Sequence, residues 1–505
     1  MKKRLILVML CVLFLLSAIT ATASCGETHE TDKNNPADTP ADKPEGENPA
    51  GGTLADNVPE GLDFGGYGYR IFYCVYAAAG NRGGVYFYPE SEEGEVLNDT
   101  LYKRNRKVQD RFNVKFLVDD VEDSAEQSKG IIAKNVKAGD DAYDMYMLLD
   151  RNGHYAASNG FLYPIGEVPY IDFERPYWLP DMNRHITIAG KLPWAFSDEV
   201  LSLMENLNCV YFNKKMTQDL GLGDLYALVK SGDWTIDRFL EFAKTGTKDT
   251  DGDGKMTAAD IWGMVSQNDH LYPNFWISAG IQLIKKNQDD IPYFDMVGNE
   301  RFFSLASKVV ETMGANREGI YLNVYGNIKQ PDGLVGPDAK CAFFKNGSAL
   351  FAVGNIQEMI RLRDMEDDFG VVPFPKYDAA QNRYHCRIEA GRPFVIPATN
   401  QRPEIAGAVM EAMACETRNT VFGAYYEYSL QNKFARDPDT VEMLDLIRES
   451  AAYDICDTIW CMPVRVPLTD VFAGLKDTFA SWAEKNTDKV NKNIDKLVGE
   501  ILDAG

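Results

Sequence analysis

Twelve consecutive residues carry the sharpest chemical pattern in the chain: Asp249-Thr250-Asp251-Gly252-Asp253-Gly254-Lys255-Met256-Thr257-Ala258-Ala259-Asp260. Carboxylates on alternate residues, Asp249, Asp251 and Asp253, stand at the first, third and fifth positions of a calcium loop and supply three hard oxygen ligands. Gly254 falls at the sixth position, where such a loop turns sharply. Lys255 would offer its backbone carbonyl, Met256 is the apolar residue that follows, and Thr257 would hold a water. Asp260 closes the loop in place of the usual bidentate Glu. An acidic turn without metal is the plainer reading; the register of all these positions favours Ca2+.

Other chemistry is harder to find. GxSxG, HExxH, the P-loop and a GxGxxG between strand and helix are all missing, and five histidines are scattered without ligand spacing. A glycosidase-like carboxylate pair is neither excluded nor located; Glu199 and Glu205 lie near the start of the second α/β region, yet a solvated surface is the usual fate of a lone carboxylate. Among seven tryptophans, Trp194 and Trp460 neighbour Pro and polar residues outside a clear helical face. They are the candidates for stacking on the apolar face of a sugar. Nine cysteines without a CxxC encode neither a zinc site nor a disulfide framework.

The chain that must position these groups has 505 residues, 45% of them hydrophobic and 25% charged, enough for two or three domains. Its net charge of −23 disfavours nucleic acid and anionic membrane surfaces as partners. Lys2, Lys3 and Arg4 precede the apolar run Leu5–Leu16, and small residues then lead to Cys25. Residues 1–24 therefore read as a secretory signal, too short in its apolar part for a comfortable membrane span. Residues 25–60, rich in Pro, Asp, Lys and Gly, read as a disordered tether. Calcium outside the cell would saturate a sensor, so the metal expected at residues 249–260 is structural.

Beyond the tether, apolar runs alternate with amphipathic ones. Strands are expected at Arg70–Tyr76, Val114–Val118, Tyr143–Leu149, Asn208–Asn213, Phe343–Val353 and Phe369–Pro375. Helices are expected at Val96–Phe112, Ala125–Ala138, Lys214–Leu220 and Trp234–Lys244, and the segment His185–Asp198 looks extended. This order predicts α/β architecture with parallel sheets, whose ligands collect at the carboxyl ends of strands. Asp150-Arg151-Asn152-Gly153 sits at one such end. After Tyr384 the pattern is mostly helical.

The signal ending at Cys25, the tether, the YKRNRKV core of the helix Val96–Phe112, the loop ending Asp260-Ile261-Trp262-Gly263, and the stretches FKNGSALF at 344–351 and DFGVVPFPK at 368–376 together resemble the extracellular solute-binding lipoproteins, family 1, of ABC importers. The resemblance spans about residues 60–505 and implies a two-lobed, type II periplasmic-binding-protein-like fold with hinge crossovers and a helical C-terminal part. It places residues 61–190 and 366–425 in one lobe, and 191–365 with 426–505 in the other. It makes Cys25 the lipidated residue and the only membrane attachment. It further implies a monomer that binds a small solute between its lobes, an oligosaccharide by preference, and hands it to permease subunits without catalysis. Asp150-Arg151 is similar to an Asp-Arg sugar contact in maltodextrin-binding members. Glu205 and Asn206 are alternatives for a sugar-binding Glu upstream of Tyr211-Phe212-Asn213-Lys214, and Asn355 stands where an aromatic platform follows in those members.

Two other classes compete. An extracellular, calcium-stabilised carbohydrate-active enzyme would need a carboxylate pair across a cleft. A dockerin-type assembly module would need a second calcium loop, and the chain has one.

Overall fold

The computed structural model describes residues 53–75, 88–122, 125–199, 201–315, 320–330, 332–431 and 435–504. The signal, Cys25 and the tether before residue 53 lie outside the described residues.

In chain order the strands are β1 (Tyr67–Val75), β2 (Val114–Glu122), β3 (Met145–Met147), β4 (Asn208–Asn213), β5 (Trp262–Ser266), β6 (Ile284–Lys286), β7 (Pro292–Phe294), β8 (Tyr321–Asn323), β9 (Ala349–Asn355), β10 (Phe369–Pro373), β11 (Cys386–Arg387), β12 (Phe394–Val395) and β13 (Ala451–Ala452). One sheet has the order β12-β3-β1-β2 and the other β10-β4-β9-β5-β8; β11 pairs with β13 and β6 with β7.

The first sheet is parallel across β3, β1 and β2, and β12 joins it antiparallel. Tyr69, Ile71, Phe72 and Tyr73 of β1 are all buried, as a strand covered on both faces requires. One cover is the helix Val96–Phe112. Glu95 caps it by accepting the N–H groups of Leu97 and Asn98, and Asn113, at φ 50°, ends it in the left-handed region. Leu97, Leu101, Val108 and Phe112 form its buried stripe.

The second sheet is mixed. β4 runs antiparallel to β9 and β10, while β5 runs parallel to β9 and β8. The expectation of parallel sheets therefore holds for the first three strands and fails at β4, which enters the sheet from the crossover in the opposite sense. The chain order of the lobes is also corrected. Phe369–Pro373, expected in the first lobe, is an edge strand of the second sheet, and the chain rejoins the first sheet only at β12. The helix Phe422–Gln431 packs on Val96–Phe112, so the first lobe runs past residue 425. The last helix, Phe479–Ala504, touches both the helix Asp150–Ser158 and β7.

Three local expectations change. The run Phe343–Val353 divides into the end of the helix Gly336–Lys345 and the strand β9, because the chain turns at Gly347 with φ +71°. The helix Pro180–Ile186 takes up the start of the segment expected to be extended, and a turn at Ala189-Gly190, both at positive φ, follows it. Residues 53–60 are docked rather than disordered. Asp56 pairs with Arg111, Leu54 N–H donates to Asn419 Oδ1 at 2.9 Å, and Val58 joins the core.

The second lobe contains a buried ion pair. Lys340 Nζ lies 2.9 Å from Glu358 with neither side chain more than 3% exposed, and it also donates to the Val353 carbonyl at 2.9 Å. A Cβ on Gly354 would sit 2.2 Å from Glu358 Oε2 and 2.5 Å from Lys340 Nζ, so the pair requires glycine there. Removing one partner leaves a bare buried charge. Lys340→Met is expected to lower unfolding free energy by about 3–5 kcal/mol, read from the shift of the denaturation midpoint; a loss below about 1 kcal/mol would show that Glu358 finds another partner.

Candidate functional site

The two sheets meet at the crossover 388–391, which runs from β11 to β12. Asp150 comes to it from the first sheet. Its N–H donates to the Gly391 carbonyl at 2.8 Å, and its Oδ2 accepts the Gly391 N–H at 3.1 Å. Asn206 comes to it from the second sheet, just before β4. Its Nδ2 donates to the Ala390 carbonyl at 3.1 Å, and its own carbonyl accepts the Glu389 N–H at 3.0 Å. Gln357, just past β9, donates from Nε2 to Asn206 Oδ1 at 3.0 Å. Asn355 is held by backbone pairing with Asn208, and its carbonyl accepts the Tyr211 hydroxyl at 2.6 Å. Its side-chain Oδ1 is buried with no partner among the described residues. Ala390 takes a left-handed φ of 56°, a strained choice for a residue with a Cβ.

An ionic chain lies beneath this corner. Arg387, buried, grips Asp457 with two bonds at 2.7 and 3.0 Å, and donates to Glu389 Oε2 at 3.1 Å and the Asp269 carbonyl at 3.0 Å. Glu389 faces His270 Nε2 at 3.3 Å, and His270 Nδ1 lies 3.3 Å from Lys340 Nζ. Burial pushes the Glu389 carboxyl up, but His270 and Arg387 outweigh it and hold the group well below the usual range. Ligand atoms of Asp269, His270 and Glu389 lie within 4.8 Å of one another, close enough for a metal. The ammonium of Lys340 also stands 3.3 Å from His270 Nδ1, however. Arg387 already supplies the positive charge. The cluster is an ion-pair network.

Of the residues expected from sequence, Asp150, Asn206 and Asn355 do converge on the crossover and its flanking strand ends. Arg151 projects from the same corner, exposed, and its guanidinium makes no ion pair among the described residues. Glu205 is buried beside Asn206. The two tryptophans are corrected. Trp194 is 1% exposed and Trp460 2%, so neither presents an open face. Trp194 supports the site from behind: a Cβ on Gly153 would lie 2.3 Å from its Nε1, and its ring packs on Phe196 at 4.7 Å. Both indoles are large apolar surfaces, and burying them outweighs display.

The acidic loop folds as its spacing implies at its first half. Carboxylate oxygens of Asp249, Asp251 and Asp253 converge within 4.8 Å, and Asp249 accepts the N–H groups of Gly252 and Gly254 at 2.7 and 2.8 Å. Gly252 and Gly254 both take positive φ, which suits the tight turn. Asp260 is a brace instead of part of that convergence. It accepts Thr250 N–H at 2.8 Å, Thr257 N–H at 2.7 Å and the Thr257 hydroxyl at 2.9 Å, so Thr257 is spent on it as well. These bonds lower its pKa. Lys255 donates its N–H to Asp253 Oδ1 at 2.8 Å.

Sequence reasoning missed Arg387, Glu389, His270, Gln357 and Gly391. One signal was available: Glu389-Ala390-Gly391-Arg392 places two small residues between charges. A Cβ on Gly391 would come within 3.0 Å of Phe196 and 3.4 Å of Asp150 Oδ2.

No family model matches the chain, and no curated protein does. Solved structures do. A cyclo/maltodextrin-binding protein complexed with maltotetraose is 15% identical, with 86% of this chain and 97% of that one covered at a TM-score of 0.51. The ABC substrate-binding protein Lmo0181 from Listeria monocytogenes, in complex with cycloalternan, is 13% identical over 85% and 99% at 0.52. UspC of M. tuberculosis is 13% identical over 84% and 99%, also at 0.52. The fold is two-lobed and periplasmic-binding-protein-like, with a helical C-terminal part.

Burial raises the carboxyls of Asp150 to about 7, Asp454 to about 7 and Glu199 to about 8. The folded chain thus holds protons that the unfolded chain releases near the ordinary carboxylate values of 3.8 and 4.5. Stability from these groups is full below those values, falls as pH rises, and levels off above about 8. The melting temperature is expected to be lower at about pH 8.5 than at about pH 5.5, and Asp150→Asn should shrink that difference. Calorimetry at both pH values checks it; an unchanged difference in the variant would place the titration elsewhere.

Proposed function

We propose that this protein is an extracellular solute-binding receptor that encloses an oligosaccharide between its lobes and delivers it to an ABC importer. The observation that carries the reading is the crossover corner. Asp150 arrives from one sheet, and Asn206 and Gln357 from the other. They meet through backbone atoms of Ala390 and Gly391, the strand that links the lobes. At such a corner the exposed guanidinium of Arg151 and the half-buried amide of Gln357 are the groups that can hydrogen-bond sugar hydroxyls, and the buried Asp150 and Asn206 hold the crossover that presents them. The neighbours solved with maltotetraose and cycloalternan support this choice of solute. Hinge closure around the crossover would bury the ligand and present a new lobe surface to the permease. The role is binding without turnover.

Lipid attachment at Cys25 belongs to the same reading, with residues up to 52 as the tether that holds the body off the membrane. Ca2+ belongs to it as a structural ion on Asp249, Asp251 and Asp253. The Lys255 carbonyl and water would complete its shell, and the ion would lock the connection into β5.

Titration calorimetry of residues 26–505 with a panel of malto- and other oligosaccharides tests the main claim. One glycan class is expected to bind with unit stoichiometry and to be recovered intact, and Arg151→Ala should weaken it about tenfold to a hundredfold, the range of one charge-assisted hydrogen bond. Steady release of shortened glycan would overturn the receptor reading. For the metal, saturating Ca2+ at about 100 times its dissociation constant should stabilise the protein by about 2.7 kcal/mol, and Asp251→Ala should abolish that gain. Equal melting of both proteins in calcium and in chelator would remove the ion.

A further inference from the structure

A cavity of about 530 Å3 lies where the helix Pro180–Ile186, the turn of the β6–β7 hairpin and the β11–β13 ribbon meet; its wall residue Ala452 accepts the Ile388 N–H of the crossover at 3.1 Å. Arg184, His185, Lys286, Arg383 and His385 are on its walls. A further 280 Å3 adjoins it past His185 and Lys286, with Lys285 and Asp454 on the far side. The chain carries a net charge of −23 and only five histidines, yet two of those histidines and three permanent cations face this one space.

The acids in the cavity are already committed. Asp181 pairs with Arg184, and Asp290 with Lys286 at 2.9 Å. Lys286 is held further by the carbonyls of Arg184 and Thr187 at 2.5 and 3.1 Å, which fix its ammonium on the wall. Asp295 takes Lys285 at 2.5 Å. Asp454, buried, has its carboxyl pushed up to about 7 and so carries less than a full charge near neutrality. Arg383 is exposed to the cavity mouth and pairs with no carboxylate among the described residues.

His385 is driven down to about 4, first by burial and then by Arg383 and His185. His185 is lowered by burial and by Lys286, with Asp181 opposing and Arg184 and Arg383 adding to the effect. Arg184 and Lys286 have their carboxylates, so the positive charge left over in this space is that of Arg383, with two imidazoles beside it. A guanidinium beside two imidazoles and a pinned ammonium is a donor set for a tetrahedral oxyanion, since every group donates and none competes as an acceptor once protonated.

We infer that this cavity is an oxyanion site that takes a phosphate or sulfate group, with Arg383 as the fork, Lys286 as the fixed charge and His185 and His385 as proton-accepting donors. Binding would draw protons onto the imidazoles, so affinity should rise as pH falls.

Calorimetry on the full folded body, residues 26–505, tests this with inorganic sulfate, inorganic phosphate and glucose 6-phosphate, against chloride at matched ionic strength. Sulfate keeps its charge across the range, so its pH dependence isolates the histidines. It should bind about threefold or more tighter at about pH 6 than at about pH 7.5. Histidine proton resonances should show the pKa of His385 rising on addition of sulfate. Arg383→Ala, an exposed change, should weaken binding about tenfold, and His385→Gln should flatten the pH dependence. Binding of the inorganic ions would identify a free anion as sufficient ligand, and binding of glucose 6-phosphate alone would identify an ester. Absence of binding by all three, or equal binding by wild type and Arg383→Ala, would overturn the site.

Discussion

A guanidinium stripped of water must find anions and carbonyls for its donors, and Arg387 is 2% exposed. Its partners come from distant parts of the chain: Asp457 from the C-terminal region, the Asp269 carbonyl from the start of the helix Asn268–Ser278, and Glu389 two residues on. Satisfying all of them leaves one course for the crossover. That course brings the Glu389 N–H to Asn206, and Ala390 and Gly391 to Asn206 and Asp150. The corner between the lobes is thus a by-product of pairing one buried cation. The same constraint explains why Ala390 tolerates a left-handed backbone, since bonds on both sides hold it there.

Buried charge is used the same way elsewhere. Glu411, fully enclosed, accepts Tyr177 Oη at 2.7 Å, Trp178 Nε1 at 2.5 Å and the Asn57 N–H at 3.2 Å, and so ties the first docked residues to the helix Pro403–Glu416. Arg104 reaches from the helix Val96–Phe112 to the Glu199 carbonyl at 3.1 Å and Thr417 at 3.0 Å. Its pKa is lowered to about 10 by burial, which the Glu199 carboxylate only partly offsets. Buried charges in such settings contribute little net stability, because desolvation offsets the bonds they make. Their consequence is geometric: each admits one arrangement of the elements it joins.

The alternation of apolar runs with amphipathic helices was legible where local pattern decides. The helices Val96–Phe112 and Ala125–Ala138 and the strand Asn208–Asn213 stand where periodicity put them. Phe369–Pro373 was legible as a strand but not as a member of the second sheet, because an apolar run carries no label for its neighbour. Trp194 and Trp460 were misread for a related reason. Polar residues beside an indole in sequence do not say whether the ring faces them or the core.

At the crossover corner, its place at the end of a strand marked Asp150, while Asn206 and Asn355 came only from the resemblance to maltodextrin-binding members. The alternating carboxylates of Asp249, Asp251 and Asp253 were equally plain, because a loop's ligands are neighbours in the chain. Arg387, His270 and Lys340 were invisible, as were the cationic walls of the cavity. Their partners lie far away in the chain, 119 residues for His270 and Glu389 and 118 for Arg387 and the Asp269 carbonyl, and only folding sets those separations. Short-range periodicity and ligand spacing are properties of the chain itself. Charge pairing in the interior is a property of the tertiary structure, because it depends on which surfaces exclude water together.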